Sequence, residues 1–296
     1  MAEIRESMEN IFVTGGTDGI GRAVALDALH RGHQVVVVGS TDAKGEAFLA
    51  AAGAAGAADR AVFLRADLRL VSENSRILDA VRARFDRVDR LVLCAQRYHT
   101  RLGHTDEGLE QNFALSYLSR FVLSYGLLAQ LKRAERPLVL NVCGTGTPAG
   151  RVHWDDPQFT SSRRGGFRAL LQAARATDLL GVAFARRPDT VGVPIVLHNP
   201  DVVRTNLQRE LSQPWRLLAL TTLALRGVSV EVGVVPLLEV LADPPSDRIS
   251  AYRGRDRVDM AAPRYATGYD PADAVRLHEL TARLLTGLGR ADLLPA

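Results

Sequence analysis

A chain of 296 residues fills either two domains of ordinary size or one large doubly wound α/β domain. With 47% hydrophobic, 24% charged and 6% aromatic residues, it has the composition of a folded globular protein, which excludes disordered, collagenous and disulfide-scaffold classes. The net charge of +4 comes from 37 basic and 33 acidic residues, and only two of the 37 are lysines, Lys44 and Lys132, leaving 35 arginines.

A genome rich in G and C accounts for that bias, yet a missing residue type also removes a type of chemistry. Basic and acidic residues are interspersed, as in Arg82, Arg84, Asp86, Arg87, Asp89 and Arg90, so they read as solvated faces and no nucleic-acid partner is expected. Two cysteines and no apolar N-terminal segment predict neither a disulfide framework nor a secretory signal, and the expected compartment is cytoplasmic. The most apolar stretch outside strands, 217–225, is far short of the ~20 residues a membrane span needs.

Runs of strand length alternate with segments of helical period along the chain. Strands are predicted at 11–14, 35–38, 61–65, 90–95, 138–143 and 193–198, and helices at 20–30, 43–52, 72–85, 108–132 and 167–186. Strands joined by helices of this length need right-handed crossovers, which builds a parallel sheet covered on both faces, the doubly wound Rossmann-type α/β fold. No linker or composition shift divides the chain, so 1–296 is read as a single domain. Residues 213–241 interrupt the alternation before a last short strand near Ser250.

The first strand runs into Thr14-Gly15-Gly16-Thr17-Asp18-Gly19-Ile20-Gly21, after which a helical pattern begins. Glycines let a backbone turn tightly and approach a pyrophosphate, while the free N–H groups and positive dipole end of the helix attract it. About one βαβ unit later Arg65-Ala66-Asp67-Leu68 closes the third strand, which strengthens the reading as a dinucleotide site.

These residues resemble the short-chain dehydrogenases/reductases, whose fingerprint is TGxxxGxG after strand one and an Asp after strand three that meets adenine. The likeness covers almost the whole chain. It is nearest to the retinol-dehydrogenase-like branch, judging from Gly45-Glu46-Ala47, Asp106-Glu107-Gly108-Leu109-Glu110, Val202-Val203-Arg204-Thr205-Asn206-Leu207, and Asp270-Pro271-Ala272 through Arg276-Leu277-His278-Glu279-Leu280. The resemblance implies cofactor contacts at Gly15, Thr17, Asp18, Gly19, Ile20, Gly21, Ser40, Thr41, Asp67, Leu68, Ala95 and Thr205. The plainer alternatives are a helix cap for Asp67 and a surface threonine for Thr205. Gly39-Ser40-Thr41 stands where an acid would hold the ribose hydroxyls of NAD, and small hydroxyls accept a 2′-phosphate, so the cofactor is NADP or NAD with a slight lean to NADP. Asp18 stands where NADP-using relatives often carry a basic residue.

The resemblance also implies a proton relay of Tyr, Lys, Ser and Asn. A phenol with pKa near ~10 must be brought toward neutrality by a close positive charge to exchange protons with a carbonyl oxygen. None of the six tyrosines has a lysine four residues on. Aligned on Gly192 and Pro200, Leu170 takes the Tyr place and Ala174 the Lys place; Gly144 falls on the Ser and Ser116 on the Asn. Gln96 and Asp201 replace glycines beside the expected cofactor groove.

Polar residues that follow strands four and five supply candidate replacements: Tyr98 or His153 as acid or base, and Thr145 as an orienting hydroxyl. The plainer reading of each is a surface or lid residue. Cys94 and Cys143 end neighbouring strands and read as small buried thiols. The histidines show no metal-ligand spacing, so no metal is expected. In the family the region 212–245 covers the substrate, and Trp215, Leu217, Leu218, Leu220, Leu223 and Leu225 suit an apolar small molecule, a self-buried helix or a subunit contact. A homo-oligomer is expected from the same likeness. Three functions stay open: an atypical NAD(P)-dependent oxidoreductase acting on an apolar small molecule without the Tyr-Lys relay, a non-redox enzyme such as a cyclase, dehydratase or isomerase on the same fold, and a catalytically silent NAD(P)-binding or partner protein.

Overall fold

Val35, Val36, Val37 and Val38 are all fully buried, because a strand with helices on both faces has no solvent side and alternation gives way to an unbroken apolar run. The computed structural model describes residues 8–147, 149–161, 165–204, 211, 213, 215–265 and 268–295. Its first half runs β1 (Asn10–Thr14), α1 (Gly19–His30), β2 (Gln34–Gly39), α2 (Asp42–Ala54), β3 (Ala61–Arg65), α3 (Val71–Arg84) and β4 (Arg90–Leu93). A helical stretch of α4 (Gln111–Phe113), a π turn (Ala114–Leu118), α5 (Ser119–Gly126) and α6 (Leu128–Leu131) leads to β5 (Leu138–Val142). Then follow α7 (Gly166–Arg186), β6 (Ile195–Asn199), α8 (Trp215–Arg226), α9 (Val230–Gly233), α10 (Val235–Ala242), β7 (Ile249–Arg253), β8 (Asp256–Arg257) and α11 (Pro271–Gly287).

The strands form one sheet in the order β3-β2-β1-β4-β5-β6-β7-β8. All pairs are parallel except β7 with β8, a two-residue return through Gly254 at φ +57°. Strand alternation divides the core in two. Phe12, Val36, Val38, Leu91 and Leu93 point to one layer, which α3, α5, α7 and α11 cover with Ile77, Phe121, Leu179 and Leu277. Ile11, Val13, Val35, Val37 and Val92 point to the other, covered by α1, α2 and α10 through Val24, Phe48 and Leu237.

The doubly wound parallel architecture expected from the sequence is what the chain adopts, with two local differences. Helix 108–132 starts only at Gln111, where the buried Glu110 carboxylate accepts the Phe113 N–H at 2.8 Å, and it is widened by the π turn and broken at Leu127. The last strand is a hairpin and not a single strand. Helix α11 is fixed at its start by Asp270, which accepts the Asp273 N–H at 2.9 Å with Pro271 in the first turn.

Candidate functional site

Chain order reverses between β1 and β4, and backbone from the two strand ends comes close enough to exclude side chains. Gly15 has φ +66°, and a Cβ there would lie 2.8 Å from the Ala95 amide nitrogen; one at Gly21 would lie 2.4 Å from the Gly15 carbonyl oxygen. Both positions require glycine, the first for its backbone conformation as well. The loop presents the first-turn N–H groups of α1, which have no intrahelical acceptor, to a cavity of about 320 Å³. Gly15, Thr17, Asp18, Gly19, Ile20, Gly21, Ser40, Thr41, Asp67, Leu68 and Ala95 line this cavity; Thr205 lies outside the described residues. A backbone cradle without Cβ atoms, a helix N-terminus and two hydroxyls fit the pyrophosphate and ribose of a dinucleotide.

Asp18 fixes the start of α1. Its Oδ1 accepts the Gly19 N–H at 2.8 Å, and its Oδ2 accepts from Lys44 Nζ. Lys44 stands in the first turns of α2, just after Ser40 and Thr41, and also lines the cavity. One of the two lysines therefore borders the end of the cavity that β2 opens. At the same end Asp67 is paired with Arg69, Nη2 to Oδ2 at 2.6 Å. Burial pushes the Asp67 carboxyl up, but the Arg69 hydrogen bonds and charge outweigh it and hold the group below its ordinary value.

The opposite end lies over β4 and β5. Cys94 and Cys143, just past the ends of those neighbouring strands, both line it with Gln96, Tyr98 and Leu115. Behind this wall sits Arg120 of α5, 1% exposed. Its Nη1 donates to Asn141 Oδ1 and, at 2.8 Å, to the Val142 carbonyl oxygen. Its Nη2 donates to the Ala95 carbonyl oxygen at 3.1 Å and to Gln96 Oε1 at 3.0 Å. Burial pushes the Cys94 and Cys143 thiols up to about 12, with the Arg120 charge pulling the other way. Burial likewise raises the Tyr98 hydroxyl, and Arg120 opposes it.

Thr145 and His153 do not line the cavity. Thr145 is fully buried, and its hydroxyl is bonded to that of Tyr269, which also accepts the Gly146 N–H at 3.3 Å. Asp178 of α7 borders the same cluster and pairs with Arg175 at 3.3 Å. The hydroxyl thus belongs to a second, closed polar group beneath the loop that follows β5. His153 packs edge-on against Phe159, ring centres 5.0 Å apart, and burial and then the charges of Arg168 and Arg151 lower its pKa. Of the three candidate replacements, the cavity wall holds Tyr98.

Leu170 and Ala174 lie one turn apart on a half-buried face of α7, and the Ala174 Cβ is 3.9 Å from where a Cβ on Gly144 would stand. Ser116 sits in the π turn, its buried hydroxyl without a hydrogen-bond partner among the described residues. Asp201 borders the cavity in a left-handed conformation, φ +60°, and pairs with Arg253 at 2.7 Å. Sequence reasoning passed over Lys44 and Arg120. Arg120 had a signal: it is the one charge in the apolar run 113–123, where a charge is expensive unless it has a specific task.

Glycine loop, strand reversal and cavity together define a dinucleotide-binding Rossmann protein. The family description short chain dehydrogenase matches residues 9–177, and the chain belongs to that family. It is 27% identical over 221 residues to an uncharacterized oxidoreductase of Saccharomyces cerevisiae, spanning 71% of this chain and 65% of that one. It is 26% identical over 210 residues to retinol dehydrogenase 13 of Mus musculus, spanning 68% and 60% respectively. The chain thus covers somewhat under two thirds of the length of these curated relatives. A short-chain dehydrogenase from Sphingobium yanoikuyae in complex with NADPH superimposes with a TM-score of 0.61 at 18% identity, over 93% of this chain and 95% of that one. That likeness concerns the fold. Among the described residues no helix is long and apolar enough to cross a membrane, and no group of three or more potential ligands is placed to hold a metal ion.

Proposed function

We propose that the protein is an NADP(H)-dependent oxidoreductase that acts on an apolar small molecule without the family's tyrosine-lysine proton relay. The observation that carries the cofactor choice is Lys44, placed beside Ser40 and Thr41 at the cavity end opened by β2. A 2′-phosphate there would meet an ammonium, two hydroxyls and the N-terminus of α2. The Gly15–Gly21 cradle would hold the pyrophosphate, and Asp67 and Leu68 would border the adenine. The cofactor supplies hydride chemistry when bound; the chain's own part is to bind and orient it and to provide a proton.

Leu170, Ala174 and Gly144 carry no group able to exchange a proton, which supports a site without the usual relay. Tyr98 is the candidate hydroxyl that the cavity wall holds; burial raises its pKa and the Arg120 charge opposes that rise. The apolar α8, with Leu217, Leu218 and Leu225 well exposed, supports the reading of 212–245 as a segment that covers an apolar substrate. A second reading, a non-redox enzyme or a dinucleotide-binding partner protein, is favoured by the same inert α7 face. Calorimetric titration of NADPH and NADH separates cofactor binding from turnover. Preferential binding of NADPH, with oxidation of NADPH by apolar carbonyl compounds that Tyr98→Phe reduces at least tenfold, is the expected result. Tight binding with no turnover would favour the second reading, and binding of neither cofactor would remove the oxidoreductase and the dinucleotide-binding partner and leave the non-redox enzyme.

A further inference from the structure

Arg120 poses a physical problem that neither the fold nor the cofactor explains. It is 1% exposed, and its four hydrogen-bond acceptors are the carbonyl oxygens of Ala95 and Val142 and the side-chain amides of Gln96 and Asn141. Each is neutral, and among the described residues no carboxylate pairs with it. Its Nε has no acceptor there either, nor has the Ser116 hydroxyl one turn earlier on the same helix. A tie between the ends of β4 and β5 needs donors only, and a neutral side chain would provide them without the cost of burying a charge. A guanidinium stays protonated even when buried.

Where this charge sits gives it a use. Ala95, Gln96 and Val142, which hold it, also line the cavity, together with Tyr98, Cys94 and Cys143. Gln96 Oε1 occupies Nη2 as an anionic oxygen would. The guanidinium is bonded directly to residues that line the cavity, and a charge buried this deeply is screened less than one in water.

We propose that Arg120 is the fixed cation of this site, a positioning residue that makes the β4–β5 end of the cavity select an apolar small molecule bearing an anionic oxygen, a carboxylate being the simplest. It does so through the wall residues and without touching the ligand. The charge stands in α5, not in α7, where the positions aligned with the family's Tyr and Lys are Leu170 and Ala174. This inference rests on the cavity being the cofactor and substrate site.

Gln96→Glu tests it, because the isosteric carboxylate keeps the hydrogen bond to Nη2 while cancelling the charge. The full chain, saturated with NADPH, is titrated calorimetrically with octanoate and with octanamide. The wild type should bind octanoate at least about tenfold more tightly than octanamide. Gln96→Glu should lose that preference, and Arg120→Lys, which keeps the charge but not the planar fork, should retain it. Melting curves show that each variant is folded. Equal affinity of the wild type for the two probes, no binding of either at millimolar concentration, or an undiminished preference in Gln96→Glu would overturn the inference. The NADPH titration in the same samples reports separately on the function: loss of cofactor binding sinks that reading, whereas normal cofactor binding without a carboxylate preference sinks only the role of Arg120.

Discussion

Lys44 Nζ closes on the Asp18 carboxylate across the mouth of the glycine loop, so the acid expected to disfavour a phosphate is answered by one of only two lysines in the chain. Both side chains are about two-fifths exposed, at 38% and 42%, which leaves the ammonium able to turn toward a ligand phosphate.

Lys44→Ala should therefore weaken NADPH binding about fivefold and leave NADH nearly unchanged, since a partly exposed charge pair is worth ~1 kcal/mol. Asp18→Asn keeps an oxygen to cap Gly19 and releases Lys44, so it should improve NADPH binding several-fold. Fluorescence titration of both nucleotides reads out each variant. An equal loss for NADPH and NADH in Lys44→Ala would place Lys44 at the shared part of the cofactor and remove the basis for preferring NADP.

Gly21→Ala puts a Cβ 2.4 Å from the Gly15 carbonyl oxygen, a backbone atom that cannot move aside without displacing the loop. The variant should lose roughly 1–3 kcal/mol of stability and most of its cofactor affinity. Thermal melting and calorimetry follow the two effects. Wild-type cofactor binding in Gly21→Ala would show that this loop does not hold the dinucleotide.

Both thiols, held near 12 by burial, should be almost wholly protonated at neutral pH. Alkylation of the native protein by iodoacetamide at pH 7.5 should be at least a hundredfold slower than in denaturant, because the thiolate is the reactive form. Mass spectrometry over a time course measures it. Rapid native labelling of Cys143 would point to a nucleophile in the cavity wall.

Asp178 makes stability pH-dependent. Burial raises its carboxyl from 3.8 to about 7, with Arg175 opposing, so over roughly pH 4 to 7 the native state holds a proton that the unfolded chain has released. Stability that is fully present below about pH 4 is accordingly lost as pH rises through 7, by on the order of 4 kcal/mol at most. Other groups add their own slopes, and Asp178→Asn isolates this one: the difference in melting temperature between wild type and variant should move in favour of the variant between pH 5 and pH 8. A difference that stays constant over that range would contradict the assignment.

Much of the architecture was legible from residue order. The unbroken Val35, Val36, Val37 and Val38, the glycine loop between strand and helix, and the Asp270-Pro271 start of the last helix each specify local structure through contacts close in sequence. Helix 108–132 was legible only in part, because the π turn at Ala114–Leu118 and the break at Leu127 depend on packing against α3 and α7. For the site, Gly15, Gly21, Ser40 and Asp67, named from the turn and the strand ends, come together on one cavity because a doubly wound sheet gathers its strand ends there. Thr145 was placed in the loop after strand five, one residue past the position aligned with the family's Ser, which says where it starts but not which way it turns. Tyr269, 124 residues away, decides that.

By itself the sequence determined the fold class, the dinucleotide cradle and the absence of a lysine four residues after any tyrosine, since each is a matter of residue type and short-range spacing. Only the tertiary structure decided what the remaining charges do. Lys44 meets Asp18 across 26 residues, and Arg120 reaches Ala95, Gln96, Asn141 and Val142 from a different helix. Electrostatic neighbours are set by distance in space and by burial, and neither can be read from the order of residues until the strands have been laid side by side.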